Sequence, residues 1–372
     1  MIDLPQHFSA MVRDAVASKR TLRIRGGSSK DFYGLPWPDA GQESAGVLDT
    51  RTLTGVVDYE PTELVVTLRA GTPLAQLESL LAQNGQMLAF EPPHFGATAT
   101  VGGMVAAGLS GPRRATAGAV RDFVLGAKII DGRGEVLSFG GRVMKNVAGY
   151  DVSRAMAGSL GTLGLLLEVS LKTQPLPVAE ATLRFELPGA RAIEEMNRWG
   201  GKPLPVSASA WTEGGELTLR LSGARAAVDA ACAKLGGERF DAAVAQAWWS
   251  ALREQSHEFF ARAAQYGTSL WRLSVPSATP PAALRAAIAG EELIEWGGAL
   301  RWFASATDPA RIREIALKAG GHATLFHATD EKRRAVGVFQ PLTPVLAEIH
   351  HKLKLAFDPH GVFNRGRLYA DF

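Results

Sequence analysis

Apolar residues recur at helical spacing over residues 2–20, where Phe8, Met11, Val12 and Ala15 fall on one side, so the chain is predicted to open on a helix. The period then shortens to two. Leu22 and Ile24 alternate with Arg23 and Arg25 as in a strand, and 47–50, 55–59 and 64–69 read as three more short strands divided by turns. Residues 74–84 return to helical spacing, with Thr72 as the expected N-cap, Pro73 in the first turn and Gly85 as the stop. From 91 to 111 the chain reads EPPHFGATATVGGMVAAGLSG, where small residues replace any period and a glycine-rich loop is expected. Residues 127–130 and 135–139 predict paired strands about the turn 131–134. A helix is expected after Asp151 as far as Met156, and 165–173 reads as a strand closed by Gln174-Pro175.

Pro175-Leu176-Pro177 is the best boundary, dividing the chain into domains 1–175 and 176–372. Beyond it strands (181–187, 206–211, 216–222, 269–275, 292–296, 299–304) are interspersed with helices (190–199, 224–235, 242–262, 281–289, 309–319, 343–357). The fold class expected for both halves is α+β, the second packing on the first as a cap. A length of 372 residues suits two domains.

The 40 basic and 37 acidic residues nearly balance and no Lys/Arg run occurs, so a nucleic-acid partner is not expected. Cys232 is the only cysteine: no intramolecular disulfide can form, and one thiolate cannot hold an iron–sulfur cluster. It reads as a small apolar residue on a helix. The N-terminal residues carry charges where a signal peptide needs an apolar core, and the longest uncharged run, 92–112, is broken by glycine and proline. No transmembrane segment is expected, and the expected location is cytoplasmic.

Three glycine-rich stretches carry the candidate chemistry. Gly26-Gly27-Ser28-Ser29 follows a strand; Gly-Gly permits positive φ, which turns successive amides toward an anion, and the serines add hydroxyl donors, although a plain hairpin turn fits the same residues. No G-x-x-x-x-G-K-[ST] motif is present. The stretch 91–111 allows close approach to its backbone, or else a tight packing corner. Gly158, Gly161 and Gly164 precede a strand, whereas a dinucleotide fingerprint follows one and opens a helix, which argues against a Rossmann site.

Taken in order, these loops resemble the FAD-binding domain of the vanillyl-alcohol oxidase / p-cresol methylhydroxylase (PCMH) type. The resemblance rests on the Gly-Gly-x-[ST] loop, on Ala99-Thr100-Val101-Gly102-Gly103-Met104-Val105-Ala106 and on Gly161-Thr162-Leu163-Gly164. Asp358-Pro359-His360-Gly361-Val362-Phe363-Asn364-Arg365-Gly366 is similar to the family's D-P-x-x-x-x-N-P-G ending. It implies two α+β subdomains with FAD between them, followed by a shortened α+β cap whose C-terminal tail returns to the first domain. The implied cofactor-binding residues are Arg25, Gly26, Gly27, Ser28, Ser29 and Lys30; Pro92, Thr98, Thr100, Val101, Gly102, Gly103, Ala106 and Gly111; Asp151; Gly161, Thr162, Gly164 and Leu165; and Asn364. Residues 26–29 and 101–103 are implied to flank the pyrophosphate, with 161–165 toward the adenosine. Members with covalent FAD carry a histidine in the first loop or a cysteine elsewhere; here that loop has none and Cys232 lies outside the FAD half, so non-covalent FAD is expected.

Within this group the chain resembles the D-lactate and glycolate dehydrogenase branch, whose catalytic members carry a His-rich metal site in the cap. Here 321–327 lacks the Asp-Gly-Asn of that cassette, and the second segment is missing. His322 and His327, five apart on a strand, face opposite ways, and His350 and His351 are helix neighbours, so no metal site is expected. The shortened cap is similar to the family of FAD-binding subunits of glycolate oxidase. That resemblance implies a catalytic flavin subunit and an iron–sulfur subunit as partners, a small 2-hydroxy acid substrate (glycolate oxidised to glyoxylate) and electrons passed to a membrane quinone. It implies peripheral attachment to the inner membrane through the complex, and leaves the catalytic residues of this chain unknown. Two alternatives stand beside it. One is a self-sufficient dehydrogenase in which Arg142, Lys145, His322 or His327 holds the carboxylate. The other is a non-catalytic scaffold, consistent with Leu160 in place of the usual Glu and Arg365 in place of the usual Pro. Trp248, Trp249, Trp296 and Trp302 suit a core better than a partner surface.

Overall fold

The computed structural model describes residues 3–37, 46–141 and 151–372. Arg142, Lys145 and residues 146–150 therefore lie outside the described residues.

A five-stranded antiparallel sheet organises the first half, in the order Val56–Glu60, Val65–Arg69, Leu165–Lys172, Val124–Ile130, Val136–Gly140. Its central strand, Leu165–Lys172, is an almost unbroken apolar run because both its faces are covered. Leu166, Val169 and Leu171 enter one core with Leu74, Leu77, Leu81 and Met104. Leu165 and Leu167 enter another with Phe8 and Val12 of the helix Leu4–Ala17 and with Phe363. A separate parallel pair, Leu22–Arg25 with Gly46–Asp49, is flanked by the C-terminal tail through a parallel bridge from Leu22 to Phe363.

The second half is built on eight antiparallel strands. Their order is Glu238–Arg239, Ala179–Glu186, Glu216–Gly223, Val206–Thr212, Glu291–Glu295, Leu300–Ala304, Leu270–Ser274, His322–His327. One face is covered by the helices Gly189–Gly200, Arg225–Leu235 and Pro309–Lys318. The other packs an aromatic layer of Trp249, Trp296, Trp302 and Phe326 against Tyr33, Ala107, Leu109 and Leu160 of the first half. Trp248 is partly covered in the same cluster, so all four tryptophans belong to packed structure. Cys232 packs its half-buried side chain against the core under Arg225–Leu235. Antiparallel sheets with separate helices make the fold α+β.

Three local expectations need correction. Thr72 does not cap the helix Leu74–Gln83; Pro73 holds that position, and the Thr72 hydroxyl donates to the Arg69 carbonyl (2.7 Å) while accepting from the Gly55 amide (3.0 Å). The expected single helix 242–262 is two, Ala242–Arg253 and Glu258–Gln265. Gln255 takes φ 56° between them and the His257 ring caps the second. The loop expected over 91–111 contains a helix, Val101–Ala107.

Candidate functional site

The strand Leu22–Arg25 runs directly into Gly26-Gly27-Ser28-Ser29. A Cβ on Gly27 would lie 1.5 Å from the Thr98 carbonyl oxygen, and one on Gly26 would lie 2.7 Å from Thr100 Oγ1. These glycines are thus needed for close packing of two loops. They are not the source of positive φ expected from the sequence: the left-handed residue is Ser28, at φ 59°. Thr98 Oγ1 donates to the Gly27 carbonyl at 2.6 Å and fixes the approach. Among the described residues, the amides of Gly27, Ser28, Ser29 and Lys30 donate to no protein acceptor, leaving a short run of donors at the cleft. Beside them Lys30 Nζ donates to the His94 carbonyl (3.1 Å); burial brings its pKa down to about 8, against the pull of Glu254.

The helix Val101–Ala107 forms the second wall. Thr100, in extended conformation, caps it by accepting from the Gly103 amide at 3.2 Å, and Gly108 ends it at φ 65°. Val101 donates to the Thr72 carbonyl (2.9 Å) and Gly102 to the Ala70 carbonyl (2.7 Å). The three leading amides are all engaged, so this helix supplies a smooth wall and not the anion donors. Gly102 lets it lie on Ala70, whose Cβ would be 2.8 Å from a Cβ at 102.

The third wall is the turn carrying Leu160, Gly161 and Gly164, tied down by the returning tail. Asn364, 5% exposed, accepts from the Ile24 amide through Oδ1 (2.8 Å) and donates through Nδ2 to the Leu160 carbonyl (2.7 Å). One side chain thereby joins the first loop to the third. Behind it Lys354 Nζ donates to the Thr162 carbonyl (2.7 Å), the Phe363 carbonyl (3.2 Å) and Asp358 (2.7 Å). Arg367 donates to the carbonyls of Leu35, Tyr33 (2.7 Å) and Asp31 (3.0 Å) and stacks 4.5 Å over Trp37; burial lowers its pKa to about 10.

These walls line one continuous cleft between the three loops. Of the residues singled out from sequence, Gly26, Gly27, Ser28, Ser29, Lys30, Thr100, Gly102, Gly103, Ala106, Gly161, Gly164 and Asn364 line the cleft. The others stand behind it or away from it. The Arg25 carbonyl is taken by Thr50, Thr98 braces Gly27, and Val101 and Leu165 are core residues. Pro92 is buried outside the lining and Thr162 hydrogen-bonds into the tail. The Gly111 carbonyl accepts from Trp296 (3.1 Å), and Asp151 caps the short helix Val152–Ala155 and pairs with Arg154. Sequence reasoning missed Asp31, Trp37, Thr50, Leu160 and Arg367 as lining residues; only Leu160, inside the third glycine-rich stretch, and Arg367, next to the tail motif, stood where a motif could have suggested them.

The cleft suits an elongated dinucleotide. Backbone donors and one ammonium are placed for an anion, and glycine and alanine walls admit flat groups. Among the described residues no His, Cys or Tyr lines it, in keeping with a non-covalently held FAD. In the cap, His322 and His327 sit at opposite ends of one strand. His327 stacks on Phe32 at 4.1 Å, and burial with nearby Arg333 lowers its pKa to about 4, so it is neutral at pH 7.

Comparison with known proteins agrees with this geometry. Residues 4–140 match the FAD binding domain family. The glycolate oxidase subunit GlcE of Escherichia coli (strain K12) is 48% identical over 369 residues, covering 99% of this chain and 98% of that one. D-lactate dehydrogenase of Archaeoglobus fulgidus is 32% identical over 171 residues, covering 46% of this chain and 37% of its own length. An alkyldihydroxyacetonephosphate synthase structure superposes with TM-score 0.68 over 95% of this chain and 73% of that one, at 15% identity, and so shares the fold. The near full-length identity and the shared fold, with a cleft that fits FAD, show that the chain belongs to the PCMH-type FAD-binding proteins, in the family of glycolate oxidase subunits that includes E. coli GlcE.

Proposed function

We propose that this chain is the FAD-holding subunit of a complex that oxidises glycolate to glyoxylate, working with a catalytic flavin subunit and an iron–sulfur subunit that passes electrons toward membrane quinone. The observation that carries this reading is the 48% identity to a glycolate oxidase subunit across nearly the whole of both chains. Bound FAD would supply the two-electron chemistry; the protein's part is to hold and orient it. In this reading the amides of 27–30 and the Lys30 ammonium meet the pyrophosphate. The Val101–Ala107 helix and the Gly161–Gly164 turn flank it, and Asn364 keeps the walls in register. The residues behind the lining act by positioning these groups. Domain 1–175 holds the cofactor and 176–372 covers it.

Against a self-sufficient dehydrogenase built on cap histidines stand the separation of His322 from His327 and the neutrality of His327. No described helix is long and apolar enough to cross a membrane, so attachment to the inner membrane would come through the partners, with this chain on the cytoplasmic side. The test is to purify the chain, record its visible spectrum, and add glycolate without oxygen. A flavin that acid precipitation releases, and that stays oxidised until the partner subunits are added, is the expected result. Bleaching by glycolate with this chain alone would overturn the division of labour.

A further inference from the structure

One carboxylate of the cap reaches across to a segment beside the cofactor cleft. Glu254 closes the C-terminal end of the helix Ala242–Arg253. Its Oε2 accepts from the amides of His94 (3.0 Å) and Phe95 (2.9 Å), and its Oε1 accepts from the His94 amide at 3.2 Å. Oε1 also pairs with Arg253 Nε at 2.9 Å. The gripped backbone is not relaxed. Phe95 sits at φ 52°, a region that bulky residues rarely enter and keep only where their surroundings hold them. Glu254 supplies that hold from the cap, and the His94 ring adds a tether within the first half, 2.9 Å from Glu78.

The segment meets the cleft at Lys30. The His94 carbonyl accepts from Lys30 Nζ at 3.1 Å, and the Phe95 ring centroid lies 5.7 Å from the same atom. Among the described residues Lys30 is the one lysine of the lining, and no carboxylate comes within 4.0 Å of it. A carbonyl and a ring hold its ammonium, and both belong to the two residues that Glu254 grips. Burial lowers the Lys30 pKa to about 8, and the Glu254 charge works against that fall. The other charges around it are spoken for. Asp31 is paired with Arg23 at 2.5 Å, and Arg253 lies between Glu254 and Glu78. Arg367, with its pKa about 10, keeps its charge below pH 9, and His327 on the facing cap strand is neutral.

We propose that Glu254 is a positioning residue for the cofactor cleft: from the cap it fixes residues 94 and 95 so that the Lys30 ammonium is held at the cleft wall. The proposal deepens the reading in which Lys30 meets the FAD pyrophosphate and rests on it. Two effects act together. Charge-assisted bonds to two successive amides set the path of the segment, and the carboxylate's field favours the protonated amine. The cap thereby does more than cover the cofactor, because it orients a cofactor-binding group that the first half carries.

The test has two arms, both on the full chain. In the first, with FAD removed, labelling of Lys30 by an N-hydroxysuccinimide ester is followed against pH by peptide mass spectrometry. Only the neutral amine reacts. Glu254→Gln keeps an acceptor for the amides and loses the charge, so labelling should begin at a pH lower by about half a unit or more. In the second arm FAD is titrated at pH 7. Glu254→Ala should weaken binding about tenfold in the wild-type background and less than about twofold beside Lys30→Met. An unshifted labelling profile overturns the proposal. So does an equal loss from Glu254→Ala with and without Lys30, which a residue that only braced the fold would give. If Glu254→Ala does not fold, Glu254→Gln decides alone. Lys30→Met that binds FAD as tightly as the wild type sinks the pyrophosphate reading instead, and the labelling profile then decides the role of Glu254 by itself.

Discussion

The FAD cleft and the inner face of the cap handle charge by opposite means. In the cleft the donors are backbone amides, exposed because Gly26 and Gly27 let two loops touch. On the cap face the charges are side chains: Arg220 on Glu91 at the interface (2.8 Å), Arg272 against the Trp296 ring, and the buried Glu295. Backbone donors need no rotamer ordering and cannot titrate, but they exist only while the chain path is unobstructed. Side-chain charges can be tuned by burial and neighbours, at a desolvation cost. The first region should therefore fail abruptly on substitution, and the second by degrees and with pH.

Gly27→Val is the sharpest way to break this contrast. Its Cβ falls on the Thr98 carbonyl, so the loops must part and FAD affinity should drop at least a hundredfold, roughly 3 kcal/mol, with circular dichroism unchanged. Wild-type flavin content in that variant would remove the backbone from the account. Glu295 tests the other region. Its folded pKa of about 7 lies above the unfolded carboxyl value, so its favourable contribution is complete below about pH 4.3 and is lost as pH rises through 7. Glu295→Gln should flatten that dependence and stabilise the chain at pH 8 by up to about 3 kcal/mol, measured by urea unfolding at pH 5 and 8.

Asn364→Ala comes next. It orphans the Ile24 amide and the Leu160 carbonyl, for about 2 kcal/mol of stability, and should loosen FAD in parallel. Lys30 gives the smallest effect. A cofactor phosphate beside it would raise its pKa above 8, so binding takes up a proton there and affinity falls as pH climbs through 8. Lys30→Met should bind FAD about tenfold more weakly at pH 7 and lose that slope between pH 7.5 and 9.5.

The cleft was legible in sequence because its loops are made of residues chosen for what they lack. Gly26-Gly27, Gly102-Gly103 and Gly161 stand out in any reading, and their order along the chain narrows the family. What each glycine does was less legible. Ser28 carries the left-handed backbone beside two glycines free to take it, and the Val101–Ala107 helix forms despite two poor helix formers because Gly102 alone fits against Ala70. The break at Gln255 has neither glycine nor proline to announce it. Glu254, His94 and Lys30 are scattered through the sequence, and only domain packing brings them together.

The tie made by Asn364 also sets a timetable. Its partner Ile24 lies 340 positions earlier, so a ribosome must work for roughly 17–70 s between making the two ends of one hydrogen bond. Throughout that interval the glycine loops exist without the clasp that holds them in register. Tight cofactor uptake thus becomes a late event, reserved for chains that have already produced their cap, and a stalled or clipped product would leave FAD for its complete siblings.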